Sequence, residues 1–510
     1  MPYRLGAEKM KMSYVTTYNN QSVLVSSLPS DPYDQFMNEN LEFMKDHPER
    51  HCVAYFGFPE DQHVRLLCCI ADDSDHNIRI SGSKVQTSNV LLSFTAHNFN
   101  FEKFERELHE NHGIQYADHP WLKPLRFSEN RHDTSKGLYD YPFFSIKSQE
   151  LHEVGVGPVH AGIIEPGHFR FICNGEQILH LEIQLGYQHR GVEQMFVDKK
   201  KLIQRCILSE SIAGDSVAEH ASAFAYLMES LAGTNAERDT HFARTLAQEL
   251  ERIAIHTGDL SAICTDIAYQ LGSAVFGRLR TPVINFFQEW CGNRLVKGLI
   301  RPGYNPFPFT QELADKLNIV FDKFEPDFVE MNRELSKLPS SLSRFERTGT
   351  VRYDQLLSIG AVGMSARMNA LERDIRVSHP YGLFSELDHT SVIKHHGDVY
   401  SRVQIRKEEV FQSVSHIRKM LKNLPAVKSK NQSSLKLRPS VFALSLIEGW
   451  RGETCHAAMT DVNGEIVLYK VKDPSFHNWL ALALAVRNNE ISDFPVCNKS
   501  FDLSYCGHDL

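Results

Sequence analysis

The sequence predicts an α+β protein, with a small α/β unit at the N-terminus followed by a large, mainly helical domain with β edges. Three observations carry that prediction. Short, β-rich apolar runs crowd the first 130 or so residues. Long stretches of helical periodicity fill the middle of the chain from about residue 200. Alternating strand patterns then return near the C-terminus around an Asn-Gly turn at 463–464. At 510 residues the chain is also too long for one ordinary core, so two domains are expected.

Taken in order, HCVAYFGF, HVRLLCCIADD and SNVLLSFTA have the composition of strands. Cys68-Cys69 lies inside the second run, as expected of a buried strand. The segment FNFEKFERELHENHG places apolar residues at helical spacing and ends on Gly113, a helix-terminating position. Residues 1–130 form the expected first domain, and the polar stretch 131–152 reads as a linker. The second domain, 153–510, opens with a hairpin turning at Asn174-Gly175. Long helices are expected over SIAGDSVAEHASAFAYLMESLAG and ERDTHFARTLAQELERIAIHTGDLSAICTDIAYQLG, with further ones near 311–338, 354–371 and 404–423.

Composition narrows the function. Hydrophobic residues at 42% and charged ones at 23% are ordinary for a globular protein. A net charge of -8 argues against a nucleic-acid partner, which requires a concentrated basic face. No apolar run approaches the roughly 20 residues needed to span a bilayer. The opening MPYRLGAEKMKMSYVTTYNN lacks a signal-peptide core, so a cytoplasmic chain recruited to membranes by partners is expected. Ten scattered cysteines without a CxxC suit reduced thiols and supply no iron–sulfur motif. A glycine-rich phosphate loop is also absent, so NAD could be reached only through a wider complex.

Ordered motifs then give a resemblance. GIQYADHPWLKPLRF in the first domain resembles the 30-kDa subunit of complex I. GPVHAGIIEPGHFRF, LGYQHRGVEQMF, ESIAGDSVAEH, QELERIAIHTGDL, ERDIRVSHPYG, EGWRGE and DPSFHNW follow one another across the second. Together they resemble the complex I 49-kDa subunit and the large subunits of hydrogenase-4 and formate-hydrogenlyase type, within the nickel–iron hydrogenase superfamily. The resemblance implies an oxidoreductase complex on the inner face of the cell membrane. Its implied partners are a 20-kDa-like iron–sulfur small subunit with a 4Fe-4S cluster and antiporter-like membrane subunits.

The same resemblance implies four nickel-binding cysteines, because soft thiolates hold nickel. At the aligned positions stand Ala213, Ser216, Ser504 and Gly507, with Cys506 between the last two. No nickel–iron site is therefore expected, and no cofactor bound by the chain's own ligands. Two functions remain open. One is a quinone or other electron-acceptor cavity beside the partner's cluster; the other is a non-catalytic scaffold coupling the cluster-bearing partner to the membrane arm. A cavity lined by the hairpin histidines and residues 211–216 would favour the first, and a pocket filled by side chains the second.

For the first function, His160 and His168 are candidate quinone or proton donors, since imidazole titrates near neutrality. Each could equally satisfy hairpin backbone groups. Asp215 and His220 occupy the old metal mouth and are candidate proton-handling groups. His189, Arg190, Arg376 and Glu453 are candidate cluster-facing or pocket residues, with structural ion pairs as the alternative for Arg190. The dense run around Arg367, Arg373, Asp374, Arg376 and His379 reads as a buried network. The first domain is expected to be a docking module whose removal leaves the large domain folded.

Overall fold

The computed structural model describes residues 14–162, 164–426 and 435–510. Its N-terminal part contains β1 (Val15–Thr17), β2 (Ser22–Leu24), α1 (Tyr33–Met44), β3 (Arg50–Glu60), β4 (His63–Asp72), β5 (Asn77–Val85), β6 (Val90–Leu92), α2 (Glu102–His112) and β7 (Gln115–Ala117). An antiparallel sheet runs in the order β1-β5-β4-β3, with Arg50 opposite Asp72 and Glu60 opposite His63. α2 ends on Gly113 at φ 74°, a left-handed turn that favours glycine.

Strand β4 explains its unbroken apolar run. Leu66, Cys68 and Ile70 face α1 and α2 with Phe36, Phe104 and Leu108. Leu67, Cys69 and Ala71, on the opposite face, enter the core of the large domain. Alternation fails to show because both faces are buried. SNVLLSFTA departs from expectation, since only β6 is extended and it pairs in parallel with β7. The buried Glu105 carboxylate accepts the amides of Phe94 and Thr95 at 2.8 and 3.0 Å and the Ser93 hydroxyl at 2.7 Å, which holds those residues in a loop.

Residues 131–151 contain one short 3-10 turn, Leu138–Asp140. Next come β8 (His152–Val156), β9 (His168–Asn174) and β10 (Gln177–Gln184), with the hairpin turning at Asn174-Gly175. Helices α3 (Val192–Asp198), α4 (Leu202–Ser209), α5 (Val217–Ala232), α6 (Arg238–Asp266), α7 (Gln270–Cys291) and α8 (Gln311–Leu335) follow. Short helices α9 (Pro339–Phe345), α10 (Tyr353–Ser358), α11 (Met364–Arg367) and α12 (Ile375–Ser378) lead to α13 (Val399–Leu421). The expected helix over 354–371 is broken: Gly360 and Gly363 adopt φ 67° and 59°, and Gly363 lies against the Gly452 backbone, where no Cβ fits. The chain closes with β11 (Val441–Glu448), β12 (Glu453–Thr460), β13 (Ile466–Lys472), α14 (Ser475–Ala485), α15 (Phe494–Phe501) and α16 (Tyr505–Asp509).

The two parts of the chain are stitched together. β2 is the edge strand of the C-terminal sheet, ordered β13-β12-β11-β2, and pairs Val23 with Phe442. His51 of β3 lies 2.6 Å from the buried Glu453 carboxylate of β12, which also holds Lys472. β4 contributes one face to the large core, so residues before 130 complete that core, a packing that the expectation of an independently folded large domain did not include. Among the described residues, no helix is long and apolar enough to cross a membrane.

Candidate functional site

The loop between α4 and α5 carries Ala213, Asp215 and Ser216, and α16 carries Gly507 just after its N-cap, Ser504. Cap duty fixes Ser504, whose hydroxyl accepts the Gly507 amide at 2.9 Å. At Gly507 a Cβ would collide with the Asp473 carboxylate, so no longer side chain fits beside it. Burial and the neighbouring Glu165 push the Cys506 thiol up to about 12, which keeps it a neutral thiol.

Arg451 fills the space between the two stretches. It sits in the turn joining β11 to β12 and is 3% exposed. Its terminal nitrogens donate to both Asp215 oxygens at 2.8 and 2.6 Å and to the Ser216 hydroxyl at 3.2 Å. Nε donates to the Asp502 carbonyl at 2.5 Å, just ahead of Ser504. The guanidinium stacks 3.9 Å from the Trp450 ring, while the Trp450 indole donates to the Asp215 carbonyl at 2.9 Å. Burial opposes its charge, but Asp215, Asp502 and Asp473 outweigh burial and hold it protonated. One buried cation therefore joins the two stretches that the resemblance aligns with nickel ligands, through Asp215 and Ser216 on one and the Asp502 carbonyl on the other. The residues do not fit a nickel–iron group: alanine and glycine offer no donor, serine is a cap, and a guanidinium occupies the gap.

Behind this pair runs a buried polar chain. His220 lies 3.2 Å from Asp473 and 3.0 Å from His456, and His456 lies 2.8 Å from the Tyr469 hydroxyl. The His220, Asp473 and His456 side chains are inaccessible. Burial and the neighbouring His220 press His456 far below neutrality, so it is uncharged. Burial, which alone would raise Asp473, is outweighed by His220, Arg451 and the Ser475 side chain. Beside them Glu219 contacts the Thr454 hydroxyl, and Glu251 accepts the Ala218 amide at 2.8 Å. Burial raises both carboxyls to about 8. His220 was legible from its motif; His456, Asp473, Tyr469, Glu219 and Glu251 were not. The sole signal was a histidine inside the otherwise apolar and small-residue strand ETCHAAMT.

The other candidates divide. Arg190 donates to the carbonyls of Ser211 and Ile212, both at 2.8 Å, and Cys506 at 3.1 Å, while His189 lies 2.9 Å from the Asp509 carbonyl. Both pin the 211–216 loop and its neighbourhood to α16. No ion pair is seen for Arg190 among the described residues; the carboxylates of Glu193 and Glu182 are held by Lys470 and Lys123. Arg376 instead belongs to a buried ionic core, pairing with Asp374 at 2.7 Å and Glu409 at 2.8 Å. Arg367 reaches the same Glu409 at 2.7 Å, and Arg373 and His379 are buried as well. Glu453 lies at the seam with β3, away from Arg451's partners. His160 and His168 contact carbonyls of their own hairpin, Gly167 at 2.8 Å and Gly157 at 3.2 Å. Burial also lowers His168. Among the described residues, no group of three or more histidines, cysteines or carboxylates could hold a metal ion.

Residues 268–509 match the family model of the respiratory-chain NADH dehydrogenase 49 Kd subunit. The chain is 27% identical over 388 residues to hydrogenase-4 component G of Escherichia coli, covering 76% of this chain and 67% of that protein. Against the C/D component of the NADH-quinone oxidoreductase of Phocaeicola vulgatus the identity is 24%, over 78% of this chain and 82% of that protein. Against the alpha subunit of the membrane-bound hydrogenase of Pyrococcus furiosus it is 25%, over 69% and 85%. The chain resembles large subunits of hydrogenase-4 and complex I type, and these relatives are subunits of hydrogenases and quinone oxidoreductases.

Proposed function

We propose that this hydrogenase-4/complex I-type large subunit is a scaffold without a nickel–iron site, coupling a cluster-bearing small subunit to a membrane arm in an oxidoreductase complex. The Arg451 bridge carries the reading. Where a metal would join the two ends of the large domain, a buried ion pair joins them instead, and the space is taken by side chains. His160 and His168 each commit one ring nitrogen to a hairpin carbonyl, which suits a structural role. Its partners in this reading are those the sequence resemblance implies, a 20-kDa-like iron–sulfur subunit and antiporter-like membrane subunits, with the chain peripheral on the inner face of the membrane.

A second reading, an electron-acceptor or quinone cavity, draws support from the Asp473–His220–His456–Tyr469 chain. That chain could pass a proton inward from Arg451's surroundings. The variant Tyr469→Phe, which ends that chain while keeping the ring, separates the two in the purified intact complex. The scaffold reading expects unchanged assembly and unchanged quinone, NADH and hydrogen turnover. Intact assembly with turnover lost would establish the acceptor reading in its place.

A further inference from the structure

A cleft of about 410 Å³ lies between α2, the segment 121–141, β10 and α14. Its walls are largely apolar and aromatic, with Trp121, Tyr141, Trp479 and Leu484 presenting flat or aliphatic surface. That volume is within the ~300–1,000 Å³ typical of small-molecule sites. One wall holds a cation outside any ion pair, although the Glu102, Glu182 and Asp354 carboxylates also line the cleft. Lys103 is buried, and its ammonium donates to the Phe476 carbonyl. Among the described residues it has no ion pair, because its neighbour Glu102 is taken by Arg106 at 2.5 Å. Arg106 and Arg126 add positive potential nearby, and burial presses the Lys103 ammonium down to about 7. On β10, His180 also lines the cleft, and its buried Nε2 has no hydrogen-bond partner.

An uncompensated buried ammonium is costly and is relieved by an anion placed on its unused donors. Aromatic walls favour a planar apolar body. We propose that this cleft binds an aromatic carboxylate, with its carboxylate on Lys103 Nζ and its ring against Trp121, Tyr141 and Trp479. The site draws on both parts of the chain, so its ligand would hold α2 to α14. Nothing in it depends on whether the protein is scaffold or catalyst.

Calorimetric titration of the full chain with 2-naphthoate tests the proposal. One saturable site is expected, with affinity at least tenfold lower for the neutral 2-naphthamide and for Lys103→Met. Leu484→Trp, which fills the cleft while leaving Lys103 in place, should weaken binding to a similar extent. At about pH 8 the free lysine is mostly neutral, and a bound anion raises its proton affinity. Binding there should take up a proton, seen as an enthalpy that varies with the buffer's ionisation enthalpy, and Lys103→Met should abolish that variation. Equal affinity for acid and amide, or undiminished binding in Leu484→Trp, would overturn the proposal. Tighter binding of decanoate than naphthoate would overturn the aromatic assignment.

Discussion

The Arg451–Asp215 pair makes an asymmetric prediction. The Arg451 side chain is 3% exposed, whereas the Asp215 side chain is 39% exposed. Breaking a buried pair costs about 3–5 kcal/mol, mostly because the surviving charge is stranded away from water. Asp215→Ala removes the guanidinium's bidentate partner and leaves it the Asp502 carbonyl, the Ser216 hydroxyl and the Asp502 carboxylate at 4.0 Å, so its cost should fall at the lower end of that range, about 3 kcal/mol. Arg451→Met strands chiefly Asp215, a carboxylate that water already reaches, since Asp473 keeps His220 and Asp502 keeps Lys499, and a methionine can lie against Trp450. Solvent screening cuts that loss to about 1–2 kcal/mol. Asp215→Ala/Arg451→Met should cost less than the two single losses combined, by about 1–2 kcal/mol, because neither charge is left alone. Urea unfolding of the four proteins, at matched slope, measures all three quantities. Equal single losses, or strict additivity, would refute the claim that this ion pair locks the two ends of the domain.

Three further outcomes follow from the same packing. Replacing Ala213, Ser216, Ser504 and Gly507 by cysteine should not restore stoichiometric nickel by elemental analysis, because a Gly507 side chain meets Asp473 and Arg451 still fills the gap; one nickel per chain would contradict this. Glu219 and Glu251 are held near 8 against an ordinary 4.5, so the folded state keeps protons that the unfolded chain releases. Stability should therefore fall as pH rises from about 4.5 to about 8, by about 1.4 kcal/mol per pH unit per group, and Glu219→Gln should flatten that fall in urea melts, an unchanged slope counting against it. Deleting residues 1–130 should abolish cooperative unfolding of the remainder in circular dichroism, since it removes β2 from the C-terminal sheet and one wall of the core; a sharp, reversible transition in the truncated chain would show the large domain to be self-sufficient.

Local signals were legible wherever a residue's own conformation decides the outcome. Gly113 ends α2, Asn174-Gly175 turns the hairpin, and helical periodicity located α5, α6 and α8. That Ala213, Ser216, Ser504 and Gly507 stand where the resemblance aligns nickel ligands is likewise a reading of single positions, because donor atoms belong to one side chain. What fills the gap between them is not. Arg451 and Asp215 are 236 residues apart, and only the crossing of β11, β12 and the 210–216 loop brings them together. The break in the expected 354–371 helix arises in the same way, from Gly452 pressing on Gly363 across the fold. Likewise the unbroken apolar run of β4 marked a strand, yet not that its second face belonged to the other part of the chain. Periodicity and caps act over a few residues, whereas ion pairing, close backbone approach and shared burial are set by contacts between segments hundreds of residues apart, which only the tertiary structure fixes.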